Sequence, residues 1–217
     1  MKLYWVKSPK WIRYIFPNYI WHLQPSSKVI YLTFDDGPTK ECTHFILNNL
    51  KKYNAKATFF CIGDNAKKNP DLMHKIINEG HIVANHTQHH SNGWNTSTKD
   101  YIKECLDAEE TLSEYTKNNK LKLFRPPYGK STKVQQDLLK EKGYNLIMWS
   151  VLSADFDTEV QKEKCFNNVI KNTKSGSIVI FHDSIKAKKN MEYTLPKVLE
   201  HFNNQGYTFK SIHSLNQ

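Results

Sequence analysis

Two adjacent aspartates, Asp35 and Asp36, stand between an apolar run and the dipeptide Gly37-Pro38. The run from Val29 to Phe34 is β-branched and aromatic, which predicts a buried strand that Gly-Pro then ends. Two carboxylates at the end of a buried strand are costly to desolvate, so either a cation relieves that cost or one of them stays protonated. The pair therefore predicts a metal ligand beside a general base, and the alternative is a solvated Asp-Gly-Pro turn.

A histidine cluster, formed by His86, His89 and His90, follows the short apolar segment Ile82-Val83-Ala84. His86 and His90 are four residues apart, so a single helical turn starting at His86 would place both rings on one face. Two neutral imidazoles and a carboxylate suit a divalent cation that activates water. A surface loop is the alternative, and the spacing alone leaves open whether His89 or His90 is the second ligand.

Polar residues follow two further apolar runs. Arg125 comes after Leu123-Phe124 and directly before Pro126-Pro127, and its permanent cation could hold a carboxylate ionised and oriented. His182 follows the run from Ile178 to Phe181. Arg125 alone could be a surface arginine where a strand leaves the sheet, and His182 alone could be a structural histidine. Polar clusters at the ends of several apolar strands, however, are typical of active sites in parallel α/β folds.

Taken in chain order, four motifs resemble the polysaccharide deacetylase family, also called the NodB-homology domain or carbohydrate esterase family 4. The motifs are Thr33-Phe34-Asp35-Asp36-Gly37-Pro38, His86-Thr87-x-x-His90, Arg125-Pro126-Pro127-Tyr128 and Ile180-Phe181-His182. The resemblance runs from about Lys28 to about Leu215. It implies a single-domain α/β protein, a distorted (β/α) barrel of the NodB-homology type, with the deacetylase domain at residues 28–217 and an aromatic and basic extension at residues 1–27.

The resemblance also implies a metal site and an activity. Asp36, His86 and His90 match the family's metal ligands, which excludes His89. The implied cofactor is a divalent metal, with Zn²⁺ favoured for two imidazoles and a carboxylate, and Co²⁺, Ni²⁺ or Mn²⁺ as alternatives. The implied activity is metal-dependent removal of N-acetyl groups from an N-acetylated sugar or polysaccharide.

Five more positions match residues that the family uses in catalysis. Asp35 matches the general base, and Arg125 matches the arginine that orients it. The backbone N–H of Tyr128 matches the donor to the oxyanion. His182 matches the general acid, and Asp155 matches the aspartate that pairs with this histidine.

The stretch around Asp155 departs from the family pattern. Leu152 stands where many relatives carry an aspartate, and Phe156 stands where many carry a tryptophan. Both changes concern the wall of the substrate groove, so two alternatives stay open: a catalytically silent carbohydrate-binding relative, or a deacetylase of a small non-polymeric N-acetyl compound. Trp94, in a polar loop after the histidines, is a candidate for stacking on a sugar, with packing under the loop as its alternative.

Apolar segments alternate with amphipathic ones along the chain, which predicts βα units and a parallel sheet. The predicted strands are Val29–Phe34, Ala57–Cys61, Ile82–Asn85, Leu123–Arg125, Asn145–Trp149, Ser177–Phe181 and Tyr207–Lys210. The predicted helices are Cys42–Tyr53, Pro70–Glu79, Thr98–Thr116, Thr132–Lys142, Glu159–Thr173 and Met191–Gln205.

The N-terminal segment is rich in aromatic and basic residues, but lysines, an arginine and prolines interrupt every apolar run within residues 1–21. The segment therefore predicts neither a signal peptide nor a transmembrane helix. We favour packing of its aromatic side chains over the barrel, and contact of residues 1–21 with a membrane surface is the alternative.

The four cysteines, Cys42, Cys61, Cys105 and Cys165, are far apart and form no CxxC motif. They predict reduced, buried thiols and hence a reducing, cytoplasmic location. The net charge is +10 and the pI is about 9.3, but the lysines are dispersed and no nucleic-acid recognition motif accompanies them. We therefore expect an N-acetylated carbohydrate as the partner and no nucleic acid. Nothing in the sequence predicts an oligomeric state.

Overall fold

The centre of the fold is a parallel sheet of nine strands, seen in a computed structural model that describes residues 4–215. The strands are β1 (Tyr19–Ile20), β2 (Val29–Asp35), β3 (Thr58–Cys61), β4 (Ile82–Asn85), β5 (Lys122–Phe124), β6 (Tyr144–Ile147), β7 (Val151–Leu152), β8 (Ile178–His182) and β9 (Thr208–Phe209). Their order is β1-β6-β5-β4-β3-β2-β8-β7, and β9 pairs with the start of β2. The sheet curls into a half-barrel surrounded by helices, which confirms the predicted fold.

Among the described residues, eight helices and one short 3₁₀ turn lie before and between these strands. The helices are α1 (Ile12–Ile15), α2 (Thr43–Lys52), α3 (Gly63–Lys68), α4 (Pro70–Asn78), α5 (Thr98–Thr116), α6 (Lys133–Glu141), α7 (Lys162–Asn172) and α8 (Lys188–Asn203), and the 3₁₀ turn is Pro127–Gly129. The predicted bounds are matched for β4 and α5. The sequence analysis did not predict α1, α3, β1 or β7, which are too short to show a periodic pattern.

Strand β2 lies in the middle of the sheet and is buried along its whole length. Ile30, Leu32 and Phe34 pack into the cluster that contains the apolar faces of α2 and α8. Val29 and Tyr31 pack into a second cluster, because successive side chains of a strand point to opposite faces. The alternation places Asp35 on the same face as Val29 and Tyr31, which is the inner face of the half-barrel.

The N-terminal segment adds to both edges of the curled sheet. β1 pairs in parallel with β6, and Lys7 forms an isolated antiparallel bridge with Val151 of β7. Ile12, Tyr19 and Trp21 are buried in a cluster with residues of α5, β5 and α6. The predicted packing on the barrel is confirmed for these three side chains. Other large apolar side chains of the segment are exposed: Trp5, Trp11, Tyr14, Ile15 and Phe16.

The four cysteines are free and buried, as predicted, while the cytoplasmic location stays a prediction. Within residues 4–215, no helix has both the length and the apolar character that a bilayer span requires.

Candidate active site

The polar motifs meet because they follow the carboxyl ends of neighbouring parallel strands. Asp35 at the end of β2 lies opposite His182 at the end of β8. On its other side, Asp35 pairs with Phe60 of β3. β3 pairs in turn with β4, and β4 with β5, whose last residue precedes Arg125. One edge of the half-barrel therefore carries every motif, as expected for an active site of this architecture.

Arg125 is fully buried, and it binds the first aspartate directly. Its Nη1 donates to Asp35 Oδ1 at 2.6 Å and to Thr33 Oγ1 at 2.8 Å. Its other nitrogens donate to the backbone carbonyls of Ile147 and Met148. Burial lowers the pKa of Arg125, but the charge of Asp35 opposes that shift, and the guanidinium remains protonated at neutral pH. A buried cation thus holds one oxygen of Asp35 in a fixed position.

Asp36, His86 and His90 form a cluster whose possible ligand atoms all lie within 4.8 Å of one another. Asp36 Oδ1 is 3.2 Å from His90 Nε2 and 3.6 Å from His86 Nε2. His86 Nδ1 is 2.7 Å from the carbonyl oxygen of Arg125, so Nδ1 is the protonated nitrogen and Nε2 faces Asp36 with its lone pair. This arrangement presents two imidazole nitrogens and one carboxylate oxygen to a single point.

The protonation of the cluster suits a metal ion. Burial lowers the pKa of His86 to about 4, even though Asp35 and Asp36 act in the opposite direction, so this imidazole is neutral at pH 7. Burial disfavours the Asp36 carboxylate, but its hydrogen bond with His90 and the charges of the surrounding histidines outweigh that effect and lower its pKa. A neutral imidazole at His86 and an ionised carboxylate at Asp36 are the forms that bind a divalent cation. The residues present therefore fit the metal that the family resemblance implies.

His89 lies outside the cluster. Its Nδ1 is 2.8 Å from Glu104 Oε1 on α5, and its side chain is mostly exposed. The helical turn expected from His86 onward is wrong, because these residues form an irregular loop after β4. The rings of His86 and His90 nevertheless come together, with centroids 5.1 Å apart.

His182 faces the cluster from β8 and is bound by Asp155. The two Asp155 carboxylate oxygens accept from the backbone N–H and from ring Nδ1 of His182, each at 2.8 Å. Burial alone would lower the pKa of His182, but the adjacent Asp155 charge and hydrogen bond raise it to about 9. The imidazolium is therefore the main form at neutral pH, and Nε2 is the nitrogen left to act as an acid.

Tyr128 lies in the 3₁₀ turn beside the histidines, with its ring centroid 4.6 Å from that of His90. The hydrogen bonds that close this turn use the N–H groups of Gly129 and Lys130, which donate to the carbonyls of Pro126 and Pro127. The N–H of Tyr128 does not take part in either bond. The turn is therefore closed by other donors, and the Tyr128 N–H is not used in its closure.

The backbone around the site is strained at several positions. Within residues 4–215, six non-glycine residues have positive φ angles, and five of them lie in the site loops. These five are Asp36 (φ 76°), Thr87 (φ 65°), His90 (φ 61°), Tyr128 (φ 60°) and Ala154 (φ 64°). Left-handed conformations are costly for residues with a Cβ and gather at functional sites. In each loop they turn the chain sharply beside a proposed ligand or catalytic group.

Asp183 is a positioning residue that the sequence motifs did not reveal. Its carboxylate accepts from Thr39 Oγ1 at 2.9 Å and from Thr43 Oγ1 at 2.6 Å, and its N–H donates to the Asp35 carbonyl. Burial raises the pKa of Asp183 to about 7, against the effect of these threonines. A Cβ at Gly37 would lie 2.2 Å from an Asp183 oxygen, so only glycine fits there. Asp183 therefore fixes the turn that carries both aspartates.

An apolar cavity of about 210 Å³ lies next to the cluster. Tyr128, Trp149 and Leu152 line it, together with Trp5 and Phe16 of the N-terminal segment. Leu152, one of the two departures from the family pattern, thus faces an apolar space. At the other departure, the Phe156 ring lies edge-on to His182, with centroids 5.0 Å apart. Neither change removes a group from the proposed chemistry.

A curled parallel sheet with this arrangement of carboxylates and histidines defines the class of protein. The chain belongs to the polysaccharide deacetylase family, because residues 22–147 match the model of the family described as polysaccharide deacetylase. A peptidoglycan-N-acetylglucosamine deacetylase of Bacillus cereus is 35% identical over 196 residues, which cover 90% of this chain and 91% of that relative. The peptidoglycan-N-acetylmuramic acid deacetylase PdaA of Bacillus subtilis is 36% identical over 192 residues, covering 87% of this chain and 71% of PdaA.

Solved structures agree with the fold. The crystal structure of the Bc1960 peptidoglycan N-acetylglucosamine deacetylase, bound to a naphthalenyl N-hydroxybenzamide, matches with a TM-score of 0.86 and 30% identity, covering 96% of each chain. BA3943 from Bacillus anthracis, described as a pseudoenzyme of carbohydrate esterase family 4, matches with a TM-score of 0.80 and 25% identity, covering 92% of this chain and 69% of BA3943. The family therefore includes both enzymes and an inactive relative.

Proposed function

We propose that this protein is a metal-dependent hydrolase that removes N-acetyl groups from an N-acetylated carbohydrate. The observation that carries the proposal is the meeting of Asp35, held by Arg125, with the Asp36–His86–His90 cluster at one edge of the sheet, opposite the protonated His182. A base, an acid and a divalent-metal site at one point are the groups that amide hydrolysis requires. A silent carbohydrate-binding relative would need none of them.

Each catalytic residue has a defined role in the proposed reaction. Asp35 accepts a proton from the attacking water, with one carboxylate oxygen fixed by Arg125. The Tyr128 N–H donates to the oxyanion that forms on the acetyl carbonyl. His182, kept protonated by Asp155, donates from Nε2 to the departing amine nitrogen. An amine is a poor leaving group, so a dedicated acid matters more for an amide than for an ester.

Asp36, His86 and His90 would hold the metal. When bound, a divalent cation there would polarise the acetyl carbonyl and favour ionisation of a water molecule. Zn²⁺ is our first choice for two imidazoles and one carboxylate, with Co²⁺, Ni²⁺ and Mn²⁺ as alternatives.

For the substrate we propose an N-acetylated glycan of the kind that the relatives' names describe, with N-acetylglucosamine or N-acetylmuramic acid residues. Trp94 supports this choice, because its ring is largely exposed and lies in the wall of the cavity beside Tyr128. Exposed aromatic rings near a catalytic site can stack on the apolar faces of sugars. A small non-polymeric N-acetyl compound remains the alternative substrate.

Acetate release tests the proposal. The protein would be stripped with a chelator, reloaded with Zn²⁺, Co²⁺, Ni²⁺ or Mn²⁺, and incubated with chitin oligomers, peptidoglycan fragments and small N-acetyl compounds. We expect release from at least one glycan, lost on chelation and restored by metal. Glycan binding without acetate release under every metal would instead identify a silent relative, and release that chelation leaves unchanged would contradict the metal dependence.

A further inference from the structure

Exposed apolar side chains are concentrated in the N-terminal segment. Of the ten large hydrophobic residues that are exposed within residues 4–215, five lie between positions 4 and 16. We call them the N-terminal patch, which consists of Trp5, Trp11, Tyr14, Ile15 and Phe16. Tyr14 is 86% exposed and Ile15 is 60% exposed. Scattered single apolar residues are normal on a surface, whereas such a concentration is typical of an interaction site.

The segment that carries the patch is held on the barrel at several positions. The N–H of Leu152 donates to Val6 O at 2.8 Å, and the N–H of Ser8 donates to Ser150 O at 3.0 Å. Beyond the patch, β1 is paired with β6. Within α1, Ile12 is buried and anchors the helix on the core. The exposed side chains therefore belong to a segment whose backbone is bound to the sheet and whose helix is anchored on the core.

The surroundings of the patch are cationic. Lys7, Lys10 and Arg13 alternate with its aromatic residues, and the sequence contains no Asp or Glu before Asp35. Two carboxylates from other elements contact the N-terminal segment through hydrogen bonds: Asp157 accepts from the Tyr4 hydroxyl, and Asp137 accepts from Asn18 and also from Lys133. An anionic surface would therefore meet cations next to large apolar side chains.

We propose that the N-terminal patch docks this protein on the surface of an anionic lipid bilayer. Tryptophan and tyrosine favour the interface between headgroups and hydrocarbon, and basic residues are attracted to an anionic leaflet. Ile15 decides against a glycan as the occupant, because an aliphatic side chain gains from hydrocarbon but offers no ring face to a sugar. The docking goes beyond the proposed function and does not depend on it.

The position of the patch relates docking to the active site. Trp5 and Phe16 also line the cavity that Tyr128 and Trp94 line. When the patch lies on a membrane, the rim of the active site lies at the same surface. A substrate held at the bilayer surface could then reach the catalytic groups while it stays at that surface.

Vesicle flotation with the full chain tests the proposal. We expect binding to phosphatidylcholine vesicles that contain phosphatidylglycerol, little binding to phosphatidylcholine alone, and weaker binding at high salt. The double variant Lys10→Glu/Arg13→Glu should bind at least about tenfold more weakly. Its matched control, Lys51→Glu/Lys52→Glu, makes the same change of net charge at the end of α2 and should bind almost as well as the wild type.

A second pair separates apolar insertion from charge attraction. Ile15→Ser should weaken vesicle binding, whereas Leu106→Ser, an exposed aliphatic residue on α5, should not. Thermal unfolding of every variant checks that the fold is intact. Equal losses in both charge variants, or equal binding of wild type to neutral and anionic vesicles, would overturn the proposal. A concentration-dependent dimer that Ile15→Ser dissociates, without vesicle binding by the wild type, would assign the patch to a second copy of the chain and also overturn it.

Discussion

Asp155 binds His182 twice, through the backbone N–H and through ring Nδ1, and both distances are 2.8 Å. The double contact fixes the ring orientation and supplies the charge that keeps the imidazolium stable in a buried position. Without that charge, burial would favour the neutral ring. The pair therefore converts an ordinary histidine into an acid that remains protonated at neutral pH.

We expect Asp155→Asn to move the alkaline limb of the pH–rate profile to lower pH. In the wild type, turnover should fall as pH rises through about 9, where His182 loses its proton. In the variant that fall should begin nearer the ordinary histidine pKa of about 6.5, with reduced turnover at pH 7. The measurement is kcat against pH on an amide substrate. An alkaline limb that stays in place would remove His182 from the mechanism.

The same pair should make folding stability depend on pH. The folded-state pKa of His182 lies above its value of 6.5 in the unfolded chain, so its contribution is fully present below pH 6.5 and is lost as pH rises through about 9. Urea unfolding at pH 7 and pH 9.5 should therefore show a larger fall in stability for the wild type than for Asp155→Asn. Equal falls would contradict the raised pKa.

Metal content should depend on Asp36, His86 and His90 and not on their neighbour. Alanine at any of the three should remove most bound metal, because each supplies an atom to the same cluster. His89→Ala is the matched control, since His89 is bonded to Glu104 and points away. Elemental analysis after dialysis against Zn²⁺ gives the readout. Comparable metal loss in the His89 variant would show that the ligand set is wrong.

Asp35→Asn should keep the metal but lose turnover by about a hundred- to ten-thousand-fold, as is usual when a general base is removed. It also leaves Arg125 without its buried counter-ion, and breaking such a pair typically costs about 3–5 kcal/mol of stability. Activity should therefore be measured well below the melting temperature of the variant, together with its metal content. Turnover near that of the wild type, with the metal retained, would rule out Asp35 as the base.

Trp21→Ala should destabilise the fold by about 3–5 kcal/mol, because Trp21 is buried where the N-terminal segment packs on the barrel. Tyr14→Ala, at the most exposed aromatic position of the same segment, should change stability by less than about 0.5 kcal/mol. Urea unfolding of both variants measures the difference. Equal effects would mean that the segment is not part of the core.

Local sequence signals were enough to predict some of the elements. β4 and α5 have the predicted bounds, since one is a short apolar run after a glycine and the other a long amphipathic helix that begins after the Ser97 cap. Each of the four site motifs was also recognisable, because polar residues directly follow an apolar run that predicts a strand. These signals need no knowledge of distant residues, because they arise from period, capping and desolvation within a few positions.

The spatial relation of the motifs to one another depends on long-range contacts that the amino-acid pattern does not show. The loop from His86 to His90 is not helical, and it takes its shape from contacts such as that of Asn85 with the carbonyl of Cys105 on α5. Asp183 fixes the aspartate turn through threonines more than a hundred residues away in sequence. Short β1 and β7 exist because partner strands supply their hydrogen bonds. Contacts between residues far apart in sequence produce no local or periodic pattern, so they cannot be predicted from the sequence pattern and are seen only in the folded structure.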